Sequence, residues 1–141
     1  MKKMLRNVMC TIAGVILLGG AVETTAVSGN NHQDTVFAFT VSGTQWVTDY
    51  RRKTDDSSAY MKCTYITSGD SYTAHAIANN TGRAGDSTDV SNGYVYVFKK
   101  GTTKKIRNWT YEKGFKYEAI FMSPNYAHKM HAEGLWSPDS I

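Results

Sequence analysis

The sequence predicts an all-β fold, an antiparallel β-sandwich or small barrel of about seven to eight strands. Three observations carry that prediction. Apolar and polar residues alternate with period two in short runs from residue 35 onward, and helical periodicity is hard to find. Glycine, asparagine, serine and aspartate cluster between the runs, where turns need them. The 141 residues, 41% hydrophobic and 12% aromatic, suffice for one domain with a modest core. Two prolines and two cysteines argue against a collagen-like chain and against a disulfide-stapled miniprotein.

Residues 1–28 stand apart from that domain. Lys2, Lys3 and Arg6 precede an apolar run over residues 8–22, and small residues follow, which is the anatomy of a secretory signal peptide. Cleavage is expected after Ser28 or after Ala26, and cleavage after Ser28 leaves a β-sandwich domain over 29–141, secreted or held at the cell wall. The run is shorter than the roughly 20 residues of a spanning helix. The formal charge of +4 falls to +2 without residues 1–28, so the basic excess is mostly a targeting feature. No nucleic-acid partner is expected from it.

The strands follow in order. Thr35–Ser42 alternates Phe37, Phe39 and Val41 with Ala38 and Thr40. Residues 46–52 form a second candidate, Ala59–Ile66 a third, and 72–78 a fourth. Cys63, in phase with Ala59, Met61 and Tyr65, is expected as a small core hydrophobe rather than a nucleophile, because no nearby base supports a thiolate. Residues 93–99 set Val95 and Val97 opposite Tyr94, Tyr96 and Phe98. Residues 104–111 and 115–122 come next, the latter with Phe115, Tyr117, Ala119 and Phe121 on one face. Residues 128–136 close the series. Asn92-Gly93, Gly101 and Gly114 punctuate residues 93–122, which therefore read as a three-stranded meander. The ending Ser137-Pro138-Asp139 turns the chain out after Trp136, and its loss should cost stability. Trp46, Trp109 and Trp136 are expected as core anchors.

The chemistry is sparse. No hydrolase, metalloprotease, phosphate-loop or dinucleotide motif occurs, Glu112, Glu118 and Glu133 are scattered, and a non-enzymatic protein without cofactor or metal is expected. His128 and His131 are the only histidine cluster, with His75 available to join them if the fold allows. The polar stretch 79–92 carries Asp86, Ser87, Asp89, Ser91 and Asn92, oxygen ligands without a calcium-loop spacing; a solvated loop is expected. The most suggestive surface is basic. Lys99, Lys100, Lys104 and Lys105 flank a predicted hairpin tip, Arg107 lies beyond, and Tyr94, Tyr96 and Trp109 sit on its strands. A basic tip beside aromatic rings suits an anionic cell-wall polymer or a membrane surface, although edge lysines also keep sheets soluble. Arg51-Arg52-Lys53 is a second basic group, its field weakened by Asp55 and Asp56.

The chain resembles a family of small secreted proteins of Gram-positive bacteria known as a domain of unknown function. The resemblance rests on the leader, on Phe37 and Phe39, on Arg51-Arg52-Lys53-Thr54 before Ser58-Ala59-Tyr60, and on residues 111–115. It rests above all on the ending Gly134-Leu135-Trp136-Ser137-Pro138-Asp139-Ser140. It implies secretion and a β-sandwich-like fold and carries over no site residues. A looser similarity of type links the chain to lactococcin-like bacteriocins, which are also secreted, β-rich and tyrosine-rich. Two functions are therefore expected as alternatives: a secreted module binding the cell envelope or extracellular matrix through its basic hairpin, or a bacteriocin-like effector acting on the envelope of related bacteria.

Overall fold

A computed structural model describes residues 30–141, and the expected signal peptide over 1–28 lies outside them. The described residues form ten strands and no helix. The first sheet has four strands in the order β1 (Thr35–Ser42), β10 (Lys129–Ser137), β4 (Ala59–Ile66) and β8 (Thr103–Ile106). The second centres on β9 (Tyr117–Pro124) and β5 (Tyr72–Asn79). The short strands β2 (Trp46–Val47) and β3 (Arg51–Arg52) share the outer edge of β9, and β6 (Thr88–Asp89) and β7 (Tyr96–Phe98) pair with β5. Every ladder is antiparallel, and the two sheets are not closed into a barrel.

Alternation explains the core between the sheets. Phe37 and Phe39 of β1, Ala59, Met61 and Cys63 of β4, and Met130, Ala132 and Trp136 of β10 are buried from one side. Tyr72, Ala74, Ala76, Ile120 and Met122 are buried from the other, with Phe98 beside Tyr72. The Tyr72 ring stacks on Phe98 at 5.3 Å between centroids and meets Phe39 edge-on at 5.7 Å. Each such fully buried large side chain is worth about 1.5–3 kcal/mol over leaving it in water. Gly134 makes the central pairing possible. A Cβ there would lie 2.1 Å from the Lys62 carbonyl oxygen and 2.5 Å from the Phe37 ring, which covers the glycine from the facing strand.

Several expectations change. The meander over 93–122 does not form, because β7 joins β5 in the second sheet while β8 joins β4 in the first. The tip 99–102 is thus an arch between sheets, and 107–116 is a turn-rich loop rather than strand. The run 46–52 is broken into β2 and β3, and β6 interrupts the loop expected over 79–92. Tyr65 does not share a face with Cys63: the register shifts between Glu133 and Gly134, the extra residue Thr64 bulges, and Tyr65 turns outward while Ile66 turns in. In β9 it is Glu118, Ile120 and Met122 that face the opposing sheet, so the Tyr117, Ala119 and Phe121 side looks away from the core. Trp136 anchors the core at 1% exposure and Trp46 packs against it, whereas Trp109 is only half-buried beside Tyr94.

Candidate functional site

The fold splits the basic group expected from the sequence. Lys99 and Lys100 are exposed on the arch, where with Tyr65, Ile66, Ser68, Gly69 and Asp70 they line an open depression of about 450 Å³. Lys104 and Lys105 are exposed on β8, the edge of the first sheet, opposite Met61 and Tyr60. Lys105 Nζ reaches the Ile141 carbonyl at 2.9 Å. The turn that throws these lysines outward has Gly101 at φ +85°, a backbone state that side chains other than glycine rarely adopt.

Arg107 and the aromatic residues form a second group beyond β8. The Arg107 guanidinium lies 5.0 Å from the Tyr94 ring centroid and donates to the Tyr94 hydroxyl at 3.0 Å. The Arg107 amide donates to the Tyr96 hydroxyl at 3.1 Å, and Trp109 stacks on Tyr94 at 6.0 Å. Tyr94 is 42% exposed, so the stack is a platform open to solvent with a cation fixed on it.

The histidines do not converge; each faces its own carboxylate. His75 lies 3.6 Å from Asp89, His128 2.8 Å from Asp70, and His131 2.9 Å from Glu133. His75 sits on β5 between the core-facing Ala74 and Ala76, and His131 on β10 between Met130 and Ala132, so they project from opposite outer faces of the sandwich. Among the described residues no group of three or more His, Cys, Asp or Glu could hold a metal ion. Asp89 is held below the usual carboxylate range: burial pushes it up, but hydrogen bonds from the Ser91 hydroxyl and amide outweigh that. Cys63 is buried, and burial pushes its thiol up, away from the reactive thiolate.

The site that sequence reasoning missed is inside. The third residue of the Arg51-Arg52-Lys53 group is not a surface charge. The Lys53 and Asp139 side chains are both 0% exposed, with Lys53 Nζ 2.9 Å from Asp139 Oδ1. Lys53 Nζ also donates to the carbonyls of Ser57 and, at 2.6 Å, of Pro138. Asp139 Oδ2 accepts from the Asn31 amide (2.7 Å), the Thr54 amide (3.2 Å) and the Thr54 hydroxyl (2.5 Å). Arg51 donates to the carbonyls of Gln33 and Trp136 and lies 5.6 Å from the Trp136 ring. The Arg-Arg-Lys-Thr and Trp-Ser-Pro-Asp segments, far apart in sequence, are thus two halves of one clasp.

Glu118 is buried near this pair and feels both charges, while the three glutamates stay scattered. Glu118 Oε2 accepts from the Thr110 hydroxyl, and the Asn108 amide fits best turned over, so that its nitrogen donates to Oε2 at 3.0 Å and its oxygen accepts from the Ala59 amide at 3.2 Å. Oε1 is buried without a hydrogen-bond partner among the described residues. Desolvation raises the Glu118 carboxyl to about 8, and the nearby Lys53 charge only partly offsets it. Glu112 is exposed on the 107–116 loop, and Glu133 faces His131 on the other side of the molecule. The sequence held one signal for the cluster: Glu118 stands in phase with Ile120 and Met122, an acid on an apolar face.

A family model described as a protein of unknown function (DUF2712) matches residues 23–140. No curated protein and no solved structure matches the chain.

Proposed function

The chain belongs to the DUF2712 family, and from its own surface we propose that it is a secreted, non-enzymatic β-sandwich that binds an anionic polymer of the cell envelope or extracellular matrix. The observation that carries this reading is the run 99–107, which holds five cations and no carboxylate and exposes Lys99, Lys100, Lys104, Lys105 and Arg107. The Tyr94–Trp109 stack beside Arg107 adds an amphipathic surface on which a sugar or polyol ring can rest. Charges on an arch and an edge strand meet a flexible polyanion without closing a pocket, which suits a polymer better than a small molecule. Secretion is supported by the composition of residues 1–22.

The test is sedimentation of the purified protein with Gram-positive sacculi, with and without wall teichoic acid, across a salt series. The expected result is co-sedimentation that needs the polymer, falls as salt rises, and is lost when Lys99, Lys100, Lys104 and Lys105 become alanine. Absence of binding at low salt overturns the reading. Growth inhibition of a related strain under the same conditions would favour the bacteriocin-like alternative instead.

A further inference from the structure

We infer that Lys53 and Asp139 become joined by an intramolecular amide bond, formed spontaneously inside the folded domain between Lys53 Nζ and Asp139 Cγ, with Glu118 carrying protons. This stands apart from the surface reading and rests on the buried clasp alone.

The reacting groups are in place and dry. Lys53 Nζ is 2.9 Å from Asp139 Oδ1, and neither side chain is exposed. Fixing an amine against an acyl group turns a bimolecular condensation into a unimolecular one, and exclusion of water disfavours the reverse hydrolysis. The two oxygens of Asp139 stand in different surroundings. Oδ2 is held by the Asn31 amide, the Thr54 amide and the Thr54 hydroxyl, three donors on the oxygen that gains charge as nitrogen adds to Cγ. Oδ1 has Lys53 Nζ as its polar neighbour and accepts no other hydrogen bond among the described residues, which leaves it as the departing oxygen.

The proton count closes without any co-reactant. The reaction begins with one proton passing from the ammonium to Asp139 Oδ1, its neighbour at 2.9 Å, giving amine and carboxylic acid. The amine then adds to Cγ. Glu118 is wholly buried, its Oε1 is unpaired, and it interacts electrostatically with both Lys53 and Asp139. Protonated at the outset, it can give its proton to Oδ1 and take one back from the adding nitrogen. In the net count, one of the three ammonium protons stays on the amide nitrogen and two leave on Oδ1 as water. The Cγ–Oδ1 bond breaks, the Nζ–Cγ bond forms, nothing is oxidised or reduced, and Glu118 ends as it began. The product ties the chain just after β3 in the second sheet to the tail just after β10 in the first.

The decisive measurement is the intact mass of the full chain as purified, followed by tryptic mapping. The expected mass is one water below that of the sequence from the observed N-terminus. Trypsin does not cut at an acylated lysine, so a branched peptide joining residues 53–62 to 130–141 is expected. Lys53→Arg keeps the positive charge and should restore the full mass. Glu118→Gln should slow bond formation by about 100-fold or more, the range lost with a proton-transferring group. A wild-type chain at full mass, with a free peptide starting at Thr54, overturns the bond and leaves an ion pair. Linkage in Glu118→Gln at the wild-type rate removes Glu118 from the reaction. None of these readouts depends on polymer binding, so the two proposals fail separately.

Discussion

Lysine appears in this domain in two opposite settings. On the β7–β8 arch and along β8, Lys99, Lys100, Lys104 and Lys105 sit in water, where among the described residues Lys105 reaches the Ile141 carbonyl. In the clasp, Lys53 is sealed between the Ser57 and Pro138 carbonyls and the Asp139 carboxylate. The same side chain is a point charge for attracting polyanions in one region and a fixed, desolvated, chemically poised group in the other. Burial makes the difference, and it makes the two regions respond in opposite ways to substitution.

The largest expected effect lies in the clasp. Asp139→Ala strands the Lys53 charge in an apolar setting and should destabilise the fold by about 3–5 kcal/mol, read from urea unfolding. A loss below about 1 kcal/mol would show that the cluster does not hold the two sheets together. Gly134→Ala should follow, at or above the upper end of the roughly 1–3 kcal/mol range for overpacking, because the added methyl meets a backbone carbonyl that cannot swing aside. Thermal or urea unfolding will show it.

Acidity sharpens the comparison. Glu118 has its carboxyl raised from 4.5 to about 8 in the folded state. Between those values the folded protein holds a proton that the unfolded chain has released, so stability should fall as pH rises through that window. The slope from this one group approaches about 1.4 kcal/mol per pH unit. Urea midpoints across the window test it, and Glu118→Gln should flatten the slope. An unchanged slope in that variant would assign the dependence to another group. The smallest stability effect belongs to the arch: alanine at Lys99, Lys100, Lys104 and Lys105 should each move stability by no more than about 0.5 kcal/mol. The same four changes together should abolish salt-sensitive polymer binding, so the region that matters least to the fold matters most to the proposed partner.

The long strands were legible residue by residue. β1 and β4 coincide with the alternating runs Thr35–Ser42 and Ala59–Ile66, and β5, β9 and β10 lie within two residues of theirs. Alternation is a local property, written wherever one face of a strand is buried. The short strands were harder. β2, β3 and β6 have two residues each, too few for any period to show, and they exist because β9 and β5 offer free edges. The Thr64 bulge was invisible for a related reason: it answers to the register of β10, a strand far away in sequence.

For the sites, the lysines expected on a hairpin tip are exposed, but the fold divides that hairpin between two sheets. The clasp was present only as fragments: a basic triplet, a lone glutamate in an apolar phase, and an ending built on Trp136 and Asp139. By itself the sequence determined the all-β class, the long strands and most of their inward and outward faces, because those follow from neighbours two residues apart. Only the tertiary structure decided which sheet each strand joined and that Lys53 and Asp139 meet out of water with Glu118 buried nearby. Strand pairing and desolvation depend on residues brought together from distant parts of the chain, and no local pattern encodes that meeting.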